Sequence, residues 1–293
     1  QPDNTVISVE HIENSILDSL KQKIESNKIK KISIALSGGI DSTLILAMLR
    51  KLFPDIEIEA ITIKFAKSTD ESSAAAKIAE NFGANHNIVY LENYLEELPK
   101  AISIIKMPFW DLHWYHVVKK SQSLSKYLAS GDGGDELFGG YNPYQFAPKV
   151  WSKLKSLPLP LRQLAVKVFS GLVLPEKLNT LLKVFPAKDR EAFYLLLMSH
   201  WQQPEEIVIG ANPLSTLINT PEKWPKADSF EHWMMAMDAG QYMSDDILVK
   251  VDRAAMENSL ETRVPLLDHR VVELAWQLPL NMKIRKGVGK WAL

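Results

Sequence analysis

Ser37-Gly38-Gly39-Ile40-Asp41-Ser42 puts two hydroxyls, two glycines and a carboxylate within six residues. Glycines let the chain turn sharply and bring N–H groups within bonding distance of a ligand, and the free N–H groups that open a helix attract anions. A phosphate-binding turn is the direct reading. The spacing fits neither the Walker pattern, which needs a Lys after its second glycine, nor the dinucleotide fingerprint with three spaced glycines. A lone Ser-Gly-Gly is more often a plain strand-to-helix turn. The Asp-Ser that follows and the apolar run before it favour phosphate, with Asp41 placed to hold a metal beside it.

A second chemical stretch runs from Ala129 to Tyr141 and contains Gly131, Gly133, Gly134, Gly139 and Gly140. Linkers mix Gly with Ser, whereas here Asp132, Asp135 and Glu136 hold fixed places among the glycines. It reads as a second active-site loop. Carboxylates near a polyphosphate suit Mg²⁺, a hard cation that takes one or two carboxylates plus phosphate oxygens. A third polar cluster follows at Ser244 to Arg253. Asp246, Lys250 and Arg253 are spaced for one helical face, with Asp246 and Lys250 able to pair. A surface ion-pair stripe would contribute little. The further charges Glu257, Glu261, Arg263 and Asp268 are embedded in apolar sequence, which suggests buried ion pairs or a substrate pocket.

The elements that must position these groups alternate. Val9, Ile12, Ile16, Leu17, Leu20 and Ile24 predict an opening helix over 9–27. Lys31 to Leu36 reads as a strand, Thr43 to Leu49 as the helix after the turn, 56–65 as a strand, 70–82 as a helix closed by Gly83, and 87–91 as a short strand. This β-α-β alternation predicts a parallel sheet flanked by helices, with ligands at the carboxyl ends of its strands. Residues 119–128 read as one further amphipathic segment. Between Glu136 and Glu176 there is no acidic residue. The basic Lys149, Lys153, Lys155, Arg162 and Lys167 there read as a solvated face, opposite an apolar face of Leu154, Leu157, Leu161, Leu164, Val168 and Leu172. Three parts are expected: an N-terminal helix over 1–30, a nucleotide-binding α/β core over 31–145, and a mainly helical part over 146–293 that completes the substrate site.

Of the 293 residues, 46% are hydrophobic, enough for a full core. With 34 basic and 35 acidic side chains the net charge is −1, so no global field draws nucleic acid or anionic lipid. No apolar run approaches the ~18 residues that cross a bilayer, and no signal peptide is evident; a cytoplasmic protein is expected. The chain has no cysteine, which excludes disulfides, thiolate metal sites, persulfide chemistry and a cysteine nucleophile within it.

Together, Ser37 to Ser42, Ser130 to Tyr141 and Asp246 to Asp268 resemble the synthetase domain of the asparagine synthetase family, which includes β-lactam synthetases and lasso-peptide cyclases. The first motif is shared with all N-type ATP pyrophosphatases; the other two are more specific. The resemblance covers roughly residues 9–293 and implies an adenine nucleotide α-hydrolase-like, PP-loop fold with a helical C-terminal part. It implies ATP and Mg²⁺ as cofactors and an amide ligase that adenylates a carboxylate, aspartate by default, releases pyrophosphate, and hands the acyl-adenylate to an amine. Ser37, Gly38, Gly39 and Ser42 would cradle pyrophosphate, and Asp41 and Asp135 would bind Mg²⁺. Leu36, Ile63, Ser130 and Gly131 would line the adenosine and α-phosphate site. Asp132 would orient or deprotonate the amine. Asp111, Asp246, Lys250, Arg253 and Glu261 resemble segments around the substrate pocket.

Two departures shape these expectations. The family's glutaminase domain, with its N-terminal cysteine, is not in this sequence, so free ammonia, a separate glutaminase subunit or another amine would supply the nucleophile. Gly289-Lys290-Trp291 resembles the start of a final helical segment whose lysine contacts ATP. The sequence stops at Leu293, short of that lysine, and Lys290 is not expected to replace it. β-Lactam closure, peptide cyclisation and nucleotide binding without full catalysis therefore stand as alternatives.

Overall fold

Ser8 opens the first element. Its hydroxyl accepts from the His11 amide while the His11 imidazole accepts from the Ser8 amide, capping α1 (Val9–Glu25). Ile12, Ile16, Leu20 and Ile24 recur every four residues and are buried, as their spacing predicts. The computed structural model describes residues 7–65, 71–92, 94–106, 113–169, 171–173, 175–199, 206, 208–210 and 216–293.

The strands β1 (Lys31–Ala35), β2 (Glu57–Phe65), β3 (Asn85–Leu91), β4 (Tyr127–Ala129) and β5 (Glu261–Arg263) form one five-stranded sheet in the order β3-β2-β1-β4-β5. Every pairing is parallel, with Ile34 in register with both Ala60 and Ala129. A parallel sheet needs helices on both faces, which accounts for the unbroken burial of Ile32, Ser33 and Ile34. One face is covered by α1, by α2 (Ile40–Leu52) and by apolar residues that follow Pro265. The other carries Trp114, Val117 and Val118 of α5 (His113–Gln122), with Val251, Ala254 and Ala255 from a helix further along the chain. From β1 the chain passes through α2, β2, α3 (Ser72–Asn81) and β3 on one side, then α4 (Leu98–Ile105) and α5, before returning as β4 on the other. The order therefore switches direction between β1 and β4, where open α/β sheets bind ligands.

After β4 come α6 (Gly134–Phe138), α7 (Asn142–Leu154), α8 (Leu159–Phe169), α9 (Glu176–Val184) and α10 (Arg190–Met198). Of these, α7, α9 and α10 enclose with α11 (Phe230–Asp238) a second core around Tyr144, Phe193, Tyr194, Trp233 and Met235. A π-helical segment, Ala239–Ile247, leads into α12 (Leu248–Glu257), and β5 then pairs with β4. α13 (His269–Gln277) packs on α1, and α14 (Leu280–Lys283) follows.

Three local readings change. Residues 119–128 are not one segment: α5 ends at Gln122 and β4 begins at Tyr127. The leucine stripe of α8 does not face the core, since Leu161, Leu164 and Val168 are 58%, 56% and 61% exposed. Arg162 is buried instead. Its guanidinium donates to the carbonyls of Leu157, Phe185 and Ala187 at 3.0, 3.1 and 2.6 Å and lies 5.8 Å from the Trp151 ring centre. Three otherwise orphaned carbonyls outweigh the apolar stripe in setting the helix rotation. Finally, the π-helical turns through Ile247 shift Asp246 off the regular α-helical spacing to Lys250 and Arg253.

Candidate active site

β1 ends beside Leu36, whose amide donates to Ile61 and whose carbonyl accepts from the Thr62 hydroxyl at 2.7 Å. The strand end is thus locked to β2 just before the turn. Gly38 then takes φ +78°, a conformation L side chains avoid. The turn is stitched by its own serines: the Ser37 amide donates to Ser42 Oγ, the Gly39 amide to Ser37 Oγ, and Ser42 Oγ to the Gly39 carbonyl, all at 3.2–3.3 Å. The first backbone bond of α2 runs from Thr43 to Gly39. The amides of Ile40, Asp41 and Ser42 precede it, the usual state of a helix N-terminus and the basis of anion binding there.

The loop after β4 closes on this turn. Ser130 is anchored by its amide to the Arg263 carbonyl of β5 at 3.0 Å, and its hydroxyl donates to Asp132 Oδ2 at 2.7 Å. A Cβ on Gly131 would lie 2.7 Å from that of Asp41, so the two loops touch. The cleft between them has a volume of about 300 Å³, at the small end for ligand sites. Of the residues singled out in the sequence, Leu36, Ser37, Gly39, Asp41, Ser42, Ile63, Ser130, Gly131, Asp132 and Asp135 line it. Gly38 sits within the turn itself.

Asp41 is mostly buried. Burial pushes its carboxyl up to about 6, opposed by the ammonium of Lys290. That ammonium also lies 2.8 Å from Asp135 Oδ1, so the two carboxylates share one cation. Asp41 Oδ1 is buried with no hydrogen-bond partner. Two converging carboxylates, one with an unsatisfied oxygen, beside a helix N-terminus that favours phosphate form a donor set suited to a hard divalent cation. Among the described residues no group of three or more His, Cys, Asp or Glu side chains converges, so phosphate and water oxygens would complete such a shell.

Two participants carry no role of their own in the sequence: Glu136 reads there only as one of the loop carboxylates, and Lys290 only within the start of a final helical segment. Lys290 reaches the site because its amide donates to the Phe138 carbonyl at 3.0 Å and Gly140 leaves it room, since a Cβ there would fall 2.1 Å from Lys290 Cε. Glu136 also lines the cleft, accepts from the Tyr141 hydroxyl at 2.6 Å, and is pushed up to about 7 by burial. The later charged cluster lies elsewhere. Lys250 is buried, Arg253 donates to the Ile105 carbonyl, and Glu261 is exposed and pairs with Arg263 at 2.7 Å. None of these, nor Asp246, lines the cleft, although the neighbouring Ile247 does. The reason for Glu261 is its register: it faces Tyr127 at the start of β4, whereas the cleft forms beyond the strand's other end. Asp111 lies outside the described residues.

A parallel sheet flanked by helices, with a glycine-serine turn and a carboxylate loop meeting at its switch point, defines an open-sheet α/β protein. The sequence pattern of the Asparagine synthase family matches residues 12–293, and the chain belongs to that family. It is 28% identical over 97% of its length to asparagine synthetase [glutamine-hydrolyzing] 1 of Bacillus subtilis, covering 46% of that protein. It is 32% identical over 88% of its length to a putative asparagine synthetase [glutamine-hydrolyzing] of Mycobacterium bovis, covering 41% of it. The chain thus spans less than half the length of these curated relatives. An NH3-dependent NAD synthetase from Campylobacter jejuni aligns over 45% of this chain and 61% of its own, at 15% identity and a TM-score of 0.32. No described helix is long and apolar enough to cross a membrane.

Proposed function

We propose that the chain carries the adenylating and amide-forming steps of an asparagine synthetase-like ligase. A carboxylate oxygen, from aspartate in the first instance, attacks the α-phosphorus of ATP and pyrophosphate leaves. An amine, ammonia by default, then attacks the acyl carbon, AMP leaves, and the amine's surplus proton passes to a base. The observation that carries this reading is the meeting of Asp41 and Asp135, from loops on either side of the sheet's switch point, around a single cation.

The amides opening α2 and the hydroxyls of Ser37 and Ser42 bind the phosphate oxygens of the leaving group. Leu36 and Ile63 give the adenosine an apolar wall, and Ser130 and Gly131 bring backbone to the α-phosphate. Asp41 and Asp135 would hold Mg²⁺, which when bound supplies charge neutralisation to the departing pyrophosphate. Asp132, held by the Ser130 hydroxyl, orients the incoming amine and accepts its proton. The amine comes from free ammonia, a separate glutaminase subunit or another amino compound, and the reaction runs in the cytoplasm.

The test is incubation of the chain with Mg-ATP, ammonia and a panel of acids: aspartate, β-amino acids and peptides. Pyrophosphate and AMP that appear only with one acid support the ligase reading and name the acceptor. Nucleotide binding without acid-dependent pyrophosphate release would sink it. Asp41→Asn and Asp135→Asn should each abolish turnover while the fold persists.

A further inference from the structure

Lys290 is held in place from several directions. Its amide donates to the Phe138 carbonyl, and Arg285 and Val288 bridge each other at 2.9 and 3.0 Å to form the small hairpin that delivers it. The Arg285 guanidinium stacks 4.3 Å from the Trp291 ring centre, and the Trp291 amide donates to the Lys283 carbonyl. Gly289 passes so close to Gly139 that a Cβ would lie 2.2 Å from its carbonyl oxygen. Lys290 itself sits at φ +56°, a left-handed conformation unfavourable for a side-chain-bearing residue. An unfavourable backbone held by this many contacts marks a position where the side chain's placement matters.

What the side chain does there is electrostatic. Its side chain is only 13% exposed, and its ammonium contacts Asp41 Oδ2 and Asp135 Oδ1 together. Without it two carboxylates would face each other across a partly buried cleft, and like charges in such a place repel strongly. A divalent cation bound by the same two oxygens would need the space the ammonium fills. The two cations therefore compete for one position.

We infer that Lys290 is the resident counter-ion of the Asp41–Asp135 pair, exchanged for a divalent cation only when a polyphosphate arrives with it. The charge balance explains the coupling. Two carboxylates and one ammonium sum to −1; a divalent cation that takes the two oxygens displaces the ammonium, but the backbone of Lys290 is fixed to Phe138, so the ammonium stays nearby and leaves +1 in a cleft that also holds a helix N-terminus. A nucleotide's phosphates offset that excess, so nucleotide and metal should load together and metal alone poorly. This inference rests on the assignment of Asp41 and Asp135 as metal ligands.

Mn²⁺ is the probe, with binding read by its paramagnetic resonance signal or by calorimetry in the absence of turnover. Without nucleotide, Lys290→Met should bind Mn²⁺ at least ~10-fold more tightly than wild type, while Lys290→Arg, which keeps the charge, should stay weak. Equal Mn²⁺ affinity in wild type and Lys290→Met overturns the counter-ion reading alone. If neither binds Mn²⁺, even with a non-hydrolysable ATP analogue, the metal assignment fails and this inference falls with it. A second measurement needs no substitution: acetylation of Lys290 in the wild-type chain, read by peptide mass, should rise several-fold at saturating Mn²⁺. Unchanged labelling with Mn²⁺ bound also overturns the inference.

Discussion

Gly134 stands directly against the carboxylate of Asp41: a Cβ at that glycine would lie 2.4 Å from both Cγ and Oδ1. The obstacle is the end of a side chain rather than backbone, so an alanine would be accommodated by moving the carboxylate. Gly134→Ala is therefore expected to keep the fold and lose function. Pyrophosphate release should drop at least ~100-fold, because a displacement of about 1 Å in a reacting constellation has that effect. An unchanged melting temperature with lost turnover is the signature to look for; wild-type turnover would show that the position of Asp41 does not matter.

Glu136 makes stability depend on pH. Burial raises its carboxyl from 4.5 to about 7, so the folded chain holds a proton that the unfolded chain releases. A raised acid favours the fold while protonated, and that advantage is lost as pH climbs from the unfolded value through about 7. The shift corresponds to about 3 kcal/mol at most. Glu136→Gln keeps an acceptor for Tyr141 and removes the titration. Its melting temperature should fall less steeply between about pH 5 and 8 than that of wild type. Parallel curves would contradict the assignment.

Lys283 shows the opposite sign. Its side chain is wholly buried, its Nζ has no hydrogen-bond partner and lies 4.6 Å from the Trp276 ring centre, and burial lowers its ammonium to about 8. Below that value the fold carries a buried charge, and the penalty is relieved as pH rises toward the unfolded value of 10.5. Lys283→Met fills similar space without the charge and should stabilise the chain by about 2 kcal/mol near neutrality. Denaturant melts at about pH 7 and 10 check this: the variant's advantage should shrink at the higher pH.

Asp268 protects the chain in neutral solution and fails it in acid. Its carboxylate accepts from the Arg270 guanidinium at 2.9 and 3.0 Å and from the Arg270 amide at 3.1 Å, with Lys23 3.7 Å away. The Arg270 side chain holds its carboxyl well below the usual range. A depressed acid stabilises above its unfolded value, and that contribution disappears as pH falls through the folded one. Asp268→Asn should cost about 1–2 kcal/mol near neutrality through a weakened cap and a lost ion pair. The gap to wild type should close below about pH 3.

The elements nearest the chemistry were the most legible in the sequence. Ser37 to Ser42 follow a strand and open a helix as read, because glycine and serine requirements at such a turn are local. The α1 face was legible for a similar reason: one stripe against one core leaves a clear period. The α8 face was misread because periodicity cannot register that three carbonyls elsewhere need the Arg162 guanidinium.

By itself the sequence determined the β-α-β alternation, the two glycine-bearing loops and the side chains they carry, since these follow from backbone freedom and residue type over short spans. Only the tertiary structure decided that β5, more than a hundred residues beyond β4, joins the same sheet and that Lys290 meets Asp41 across 249 residues. Charges so far apart in the chain are brought together by strand order and close glycine packing, and no local spacing encodes either.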